Sequence, residues 1–176
     1  MSSSDKTLLD PAALERLAGR VGRFLDPAPE GRGRRVAIAC ARFNGGVTTR
    51  LLEGALEALG ELGVDPHDVS VAWAPGAFEL PLVARALAAG APDAVIALGA
   101  VIRGDTGHYD FVAGECARGL QDVTLSTGVP VVFGVLTTDT VDQALERSRP
   151  GESNKGREAA RTALAIAALL RAIGAR

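Results

Sequence analysis

The chain has 176 residues, of which 47% are hydrophobic and 23% charged, and these values fit one globular domain. Its 19 Lys and Arg residues nearly balance 21 Asp and Glu, for a formal net charge of −2, which argues against a nucleic-acid-binding protein. No apolar run reaches the roughly 20 residues that span a bilayer, and the first residues do not resemble a secretory signal. We therefore expect a soluble, cytoplasmic protein without a membrane partner.

The first 34 residues differ from the rest of the chain. Asp10 before a proline is typical of a helix start. Apolar residues then recur at helical spacing: Leu14, Leu17, Val21 and Phe24 or Leu25. Pro27 ends this pattern, and the following PAPEGRGRR has the composition of a linker. We predict an N-terminal extension over residues 1–34, containing one short amphipathic helix, and a single domain over residues 35–176.

From residue 35 onward, apolar strand patterns alternate with helical ones. Four strands are predicted over 35–43, 69–74, 94–102 and 129–136. Helices are predicted over 47–62, 80–89, about 111–127, 140–148 and 154–173, with Thr140 and Gln143 forming a capping box. The inner strands are apolar on both faces, which indicates a mainly parallel, four-stranded sheet covered by helices on both sides. The predicted fold class is a three-layer α/β/α sandwich.

Aromatic residues are concentrated where the predicted strands end. The chain has seven, and six lie in or beside these ends: Phe43, Trp73, Phe78, Tyr109, Phe111 and Phe133. Ligands of open α/β sheets bind beyond the carboxyl ends of the strands. The clustering therefore predicts a flat ligand stacked between rings, although single members of the set could simply fill the edge of the sheet.

His108 is the candidate acid–base residue, because imidazole both gives and takes a proton near neutral pH. It follows the third strand in a polar, glycine-flanked segment that we expect to be a loop. The alternative is an ordinary surface histidine, which is how we interpret His67 in its Asp65–Asp68 turn.

Other polar residues at these strand ends suggest an anion. The segment Gly104–Gly107 offers backbone N–H groups and the Thr106 hydroxyl to a phosphate, but only if the Asp105 carboxylate points away. Neither a G-x-G-x-x-G nor a Walker pattern is present, so a dinucleotide or nucleoside triphosphate is not expected. Lys155 at a helix N-terminus opposes the helix dipole and suggests a nearby anion, whereas Arg147 at a helix C-terminus is an ordinary dipole partner.

Glu79 and the two cysteines complete the set of candidate residues. Glu79 follows the second strand, and it either caps the next helix or accepts hydrogen bonds from a polyol. Cys40 and Cys116 form no C-x-x-C pair, so we expect neither a disulfide scaffold nor a zinc site. No metal-ligand spacing is found, and no metal is predicted.

Five segments, taken together, resemble the lumazine synthase family of riboflavin biosynthesis. They are ARFN (41–44), PGAFELP (75–81), GAVIRGDTGHYDFV (99–112), GVLTTDT (134–140) and NKGREAA (154–160), and the similarity runs from about Val36 to the C-terminus. The resemblance implies a flavodoxin-like fold and an oligomer built from pentamers. It also implies condensation of 5-amino-6-ribitylaminopyrimidinedione with 3,4-dihydroxy-2-butanone 4-phosphate, without a cofactor.

The resemblance also assigns roles to residues. His108 corresponds to the proton-transfer histidine and Phe43 to the residue that stacks on the pyrimidine. Substrate contacts are implied for Ala77, Phe78, Glu79, Ala100, Val101 and Ile102, with Glu79 on the ribityl hydroxyls. Phosphate contacts are implied for Asp105, Thr106 and Arg147. Phe133 and Lys155 correspond to residues supplied by the neighbouring subunit, which would place the active site between subunits.

Alternatives and departures remain at this point. One alternative is a shell-forming protein that binds a flavin or lumazine and retains only vestigial activity. Another is a related riboflavin synthase of the archaeal type, which the intact phosphate set disfavours. Riboflavin synthase is a candidate partner. The long N-terminal extension and Arg149-Pro150 depart from the family pattern, and the sequence does not decide between a free pentamer, a decamer and a shell of twelve pentamers.

Overall fold

A computed structural model describes residues 10–175 of the chain. Its elements, in chain order, are α1 (Pro11–Ala18), β1 (Val36–Ala41), α2 (Gly45–Glu61), β2 (Val69–Ala74), α3 (Leu80–Ala88), β3 (Ala94–Ile102), α4 (His108–Thr127), β4 (Val131–Thr138), α5 (Val141–Arg147) and α6 (Lys155–Ile173). Short 3-10 helices at Pro66–Asp68 and Ala77–Glu79 precede β2 and α3. The alternation of strands and helices predicted from the sequence is therefore confirmed.

The four strands form one sheet in the order β2-β1-β3-β4, and every neighbouring pair is parallel. The predicted sheet was mainly parallel; the observed one is entirely so. The two central strands are buried along nearly their whole length, as their continuous apolar sequences indicate. Because β4 is an outer strand, it leaves one edge of the sheet open beside Phe133.

Helices cover both faces of the sheet and create two apolar layers. On one face Ile38, Ile96 and Leu98 pack with residues of α2 and α6. On the other face Ala39, Val95 and Ala97 pack with residues of α3 and α4. The α/β/α sandwich predicted from the sequence is thus confirmed, with the loops after the strands gathered at one edge.

Several predicted limits of helices and strands needed correction. The N-terminal helix ends at Ala18 rather than near Leu25, because Gly19 and Gly22 weaken its continuation and no residue of α1 is buried against the domain. Helix α4 begins at His108 rather than near residue 111, so His108 is not a loop residue. Strand β4 begins at Val131, two residues later than predicted, because Pro130 lacks the N–H needed for strand pairing.

Gly119, in the middle of α4, has a packing role. A side chain at this position would bring its Cβ within 2.8 Å of the Pro81 ring, so a glycine allows α3 and α4 to approach closely. Gly114 has open space around it, and the helix tolerates it without such a contact.

Both cysteines are buried free thiols on the described part of the chain. Burial raises the pKa of Cys40 to about 11 and that of Cys116 to about 12. Both groups therefore stay protonated and unreactive at neutral pH. Between residues 10 and 175, no helix has the combination of length and apolar character that would let it cross a membrane.

Candidate active site

A cleft of about 570 Å³ lies at the carboxyl ends of β1, β2 and β3, and we call it the strand-end cleft. The chain leaves β1 and β3 toward opposite faces of the sheet, which is where ligands of open α/β sheets bind. Nine of the sequence-predicted site residues line it: Phe43, Ala77, Phe78, Glu79, Ala100, Val101, Ile102, Thr106 and His108. The strands therefore bring together segments that are far apart in sequence.

The strand-end cleft has an aromatic wall. Phe43 and Phe111 are each 71% exposed and Phe78 is 57% exposed, so these rings are available for stacking. Tyr109 also lines the cleft. Trp73 does not; it packs at β2 with the Arg42 guanidinium 5.6 Å from its ring centroid. Four of the six aromatic residues singled out in the sequence thus lie in this one cleft.

Asn44 is a cleft residue that sequence reasoning did not select. Its backbone is left-handed, with φ 59°, and its Nδ2 donates to the Ala100 carbonyl oxygen at 2.9 Å. This bond joins the end of β1 to the end of β3 beneath the cleft. An Asn before two glycines is a recognisable signal for a left-handed turn, because Asn tolerates that conformation better than other side chains.

The turn before His108 is held by ionic contacts. Arg103 donates to Asp139 at 3.0 Å and to Asp110 at 3.3 Å, and its guanidinium lies 4.0 Å from the Tyr109 ring centroid. The hydrogen bond to Asp139 raises the pKa of Arg103 further. The His108 backbone N–H donates to the Thr106 hydroxyl oxygen at 3.4 Å. These contacts fix the first turn of α4, from which His108 lines the cleft.

The structure removes one of the two roles left open for Glu79, that of a helix cap. Its side chain makes no capping hydrogen bond to α3 and instead lines the strand-end cleft, within reach of a polar ligand. Asp105 is exposed and does not line the cleft, whereas its neighbours Gly104 and Thr106 do. A main-chain contribution from this turn remains compatible with a bound anion.

A second cleft, of about 630 Å³, runs along the open side of β4, and we call it the edge cleft. It contains the three remaining predicted residues: Phe133, Arg147 and Lys155. The two clefts share no lining residue. Arg147, which was grouped with Asp105 and Thr106, therefore lies instead with Phe133 and Lys155.

The cations of the edge cleft are held by their own helices. Arg147 donates to the Gln143 carbonyl oxygen at 3.1 Å, as a cation at a helix C-terminus commonly does. Lys155 forms an ion pair with Glu158, one turn further along α6. A carboxylate of this chain thus supplies part of the negative charge that the position of Lys155 suggested.

The capping box before α5 was predicted correctly in one of its two bonds. The Thr140 hydroxyl accepts from the Gln143 N–H at 3.2 Å. The Gln143 side-chain oxygen accepts from the Asp139 N–H at 2.9 Å rather than from that of Thr140. Within the described residues, no group of three or more His, Cys, Asp or Glu side chains is arranged to hold a metal ion.

Comparison with known proteins identifies the family of this chain. The family model for 6,7-dimethyl-8-ribityllumazine synthase matches residues 33–171. A 6,7-dimethyl-8-ribityllumazine synthase of Edwardsiella ictaluri is 56% identical over 143 residues, which cover 80% of this chain and 92% of the relative. One from Thermus thermophilus is 55% identical over 152 residues, covering 86% and 97%. The family match spans both clefts, and the chain belongs to the 6,7-dimethyl-8-ribityllumazine synthase family.

Proposed function

We propose that this chain condenses 5-amino-6-ribitylaminopyrimidinedione with 3,4-dihydroxy-2-butanone 4-phosphate at a site made from the two clefts. The products are 6,7-dimethyl-8-ribityllumazine, inorganic phosphate and water. The observation that carries the proposal is the division of the family's site residues between two clefts that share no lining residue. One cleft offers aromatic walls and a histidine, and the other offers two cations.

The pyrimidine substrate fits the strand-end cleft. Its planar ring stacks on Phe43, and its edge meets the backbone of Ala100 and Ile102 at the end of β3. The ribityl hydroxyls donate to the Glu79 carboxylate, which has no capping bond to give up. An uncharged, flat ligand with a polyol chain therefore matches the walls of this cleft.

The phosphate substrate needs the cations of the edge cleft. A guanidinium holds phosphate through two parallel N–H bonds, which assigns the clamp to Arg147, with Lys155 adding a second positive charge. Phosphate would replace the Gln143 carbonyl as a partner of Arg147 and would compete with the Glu158 carboxylate for Lys155. Backbone N–H groups near Thr106 would contact the same phosphate from the other subunit.

A complete site requires one copy's strand-end cleft to face another copy's edge cleft. Such a head-to-tail contact closes into a ring, and the family's pentamer is the ring that we propose. Exposed apolar residues on the outside of α3 and α4, including Leu82 and Leu125, are available for burial in this contact. We also propose a cytoplasmic location and, downstream, riboflavin synthase as the consumer of the product.

The reaction follows from this arrangement in steps that need no cofactor. The 5-amino group attacks the ketone carbonyl, and water leaves as the imine forms. Phosphate is then eliminated, and attack of the ribitylamino nitrogen on the carbonyl that this elimination creates closes the ring and releases a second water. Holding both substrates in attack geometry supplies most of the rate. His108 moves protons between the reacting atoms, and Arg147 stabilises the phosphate as it departs.

Subunit complementation tests the shared site. His108→Ala damages the strand-end cleft, and Arg147→Ala damages the edge cleft. Ring assemblies formed from an equal mixture contain intact sites only where an Arg147→Ala copy supplies the strand-end cleft and a His108→Ala copy the edge cleft. We expect about one quarter of wild-type turnover from this random pairing, measured by lumazine absorbance.

The control pairs His108→Ala with the double variant, and no intact site can form in that mixture. Recovery no greater than the average of the two separate variants would contradict a shared site. A wild-type protein that binds a flavin but forms lumazine no faster than the spontaneous reaction would instead favour the binding-shell alternative.

A further inference from the structure

The side chain of Asn154 lies at the junction of α2, α5 and α6 and is almost completely buried, with 1% exposure. Its Oδ1 accepts from the backbone N–H groups of Gly156, at 2.8 Å, and Arg157, at 3.3 Å. Its Nδ2 donates to the carbonyl oxygens of Ser148, at 2.8 Å, and Arg50, at 3.1 Å. All four hydrogen-bonding positions of the carboxamide are therefore occupied.

The packing around this carboxamide leaves it little freedom. A Cβ at Gly54 would lie 2.4 Å from the Asn154 Oδ1, so α2 presents a bare backbone to it. A Cβ at Gly156 would lie 1.8 Å from the Leu51 carbonyl oxygen, so α6 touches α2 one turn away. Both glycines are needed for helices this close, and together they enclose the Asn154 side chain.

Asn154 connects the two cations of the edge cleft. Ser148 follows Arg147, the last residue of α5, and Lys155 is the first residue of α6. The bond to the Ser148 carbonyl therefore holds the end of one helix, while the bonds to Gly156 and Arg157 hold the start of the other. A single side chain spans the loop 148–154 between them.

Only an amide provides both kinds of bond at this position. A serine can cap α6, but its hydroxyl is too short to reach the Ser148 and Arg50 carbonyl oxygens as well. An aspartate can accept from α6 but cannot donate, and it would bring a buried carboxylate against two carbonyl oxygens. The requirement for two donors and two acceptors exceeds what an ordinary helix cap needs.

We propose that Asn154 is a positioning residue that sets the separation of Arg147 and Lys155, and thereby the affinity of the edge cleft for phosphate. This inference rests on the proposed function, which assigns phosphate to those two cations. Asn154 itself touches no substrate. Its contribution is the distance between two charges on different helices, and a small misplacement of such groups weakens binding to a ligand that contacts both.

The experiment uses the assembled protein with Asn154→Ser, which keeps the α6 cap and removes the hydrogen bonds to the Ser148 and Arg50 carbonyl oxygens. We expect the KM for the phosphate substrate and the inhibition constant of inorganic phosphate to rise together, by about tenfold. The KM for the pyrimidine substrate should stay within about twofold, because the strand-end cleft is untouched. Assembly is checked by size-exclusion chromatography.

Two controls separate positioning from general loosening. Leu59→Ala lowers stability from the core of α2, away from both clefts, and should not change phosphate inhibition. Glu152→Gln weakens the ion pairs of Glu152 with Arg157 and Arg161 in the middle of the same loop, but leaves the bonds of Asn154 in place. We expect it to preserve phosphate affinity within about twofold.

The outcomes are distinct. An unchanged phosphate inhibition constant in Asn154→Ser overturns the inference, as does an equal loss in Glu152→Gln. Arg147→Gln is measured in parallel; if it also leaves phosphate inhibition unchanged, the assignment of phosphate to the edge cleft fails and the inference with it. A loss in Arg147→Gln without one in Asn154→Ser overturns the positioning role alone.

Discussion

The strand-end cleft and the edge cleft offer opposite kinds of chemistry on one chain. The first is lined by aromatic rings and backbone at the ends of three strands. The second has two cations, Arg147 and Lys155, beside an outer strand. In the proposed function, the first set holds the flat ring and the second holds the phosphate. One copy's strand-end cleft and another copy's edge cleft would then have to meet to bring the two substrates together.

The two clefts are also supported differently. Most residues of the strand-end cleft lie at or beyond the ends of β1 and β3, the central buried strands, so their backbone is set by the core of the sheet. Residues 76–79 follow the outer strand β2. The cations of the edge cleft stand at the ends of two helices joined by a loop, and local side-chain bonds hold them. Substitutions in one cleft should therefore impair the binding of one substrate, and substitutions in the other cleft the binding of the other.

The largest expected effect is that of Arg147→Ala. The variant loses two charge-assisted hydrogen bonds to phosphate, at about 2 kcal/mol each. This loss should lower kcat/KM for the phosphate substrate about 10³-fold. Steady-state kinetics with each substrate varied in turn measures this loss. Arg149→Ala is the matched control, because Arg149 is exposed in the same region but does not line the cleft. Equal losses in the two variants would argue against a specific clamp.

His108→Ala should have the next largest effect. Removal of a proton-transfer group lowers kcat by about 10²-fold, with smaller changes in both KM values, because substrate positioning is retained. Turnover under saturating substrates measures it. His67→Ala provides the control, since His67 is the other histidine and lies outside both clefts, in the 3-10 helix before β2. A large rise in either KM would instead indicate a binding role.

Phe43→Ala should raise the KM for the pyrimidine substrate by about tenfold, which corresponds to loss of one aromatic stacking contact of about 1.4 kcal/mol. The KM for the phosphate substrate should hardly change. Phe24→Ala is the appropriate comparison, because Phe24 is also an exposed aromatic residue but belongs to neither cleft. Titration with the product, followed by fluorescence, checks the binding effect without turnover.

The smallest predicted effect concerns the cap of α5. Thr140→Ala removes the hydroxyl that accepts from Gln143, at a cost of about 1 kcal/mol to the local helix. Because α5 ends in Arg147, we expect phosphate inhibition to weaken by no more than about fivefold. Asp65→Ala removes a comparable cap, on the His67 N–H at 2.9 Å, far from Arg147 and should leave inhibition unchanged. If Asp65→Ala weakened phosphate inhibition more than Thr140→Ala, the effect could not be attributed to the cap beside the edge cleft.

The layers of the fold could be predicted from residue patterns, because they depend on local hydrophobicity. Strands β2 and β3 begin and end where the sequence indicated. The start of α4 could not be predicted from the sequence, because Gly107 and Gly114 lower the helical signal around His108. Its helical start depends instead on contacts of Arg103 with Asp110 and Asp139, and the latter follows a different strand.

The grouping of site residues depended on information absent from local sequence. Arg147 joins Phe133 because β4 is an outer strand, which follows from the strand order β2-β1-β3-β4. No spacing along the chain indicates that order. Asn154 similarly reaches Arg50, 104 residues away, and only the close contact of α2 with α6 makes this possible.

The buried state of Cys40 and Cys116 has a practical consequence for studying assembly. Because neither thiol reacts readily at neutral pH, a single cysteine introduced on the surface would accept a dye almost without background labelling. Glu15 on α1, which is exposed, is a suitable position outside both clefts. Energy transfer between labelled copies would then report subunit exchange in real time. The exchange rate would then show how quickly copies of the chain, and with them the proposed shared sites, associate and dissociate.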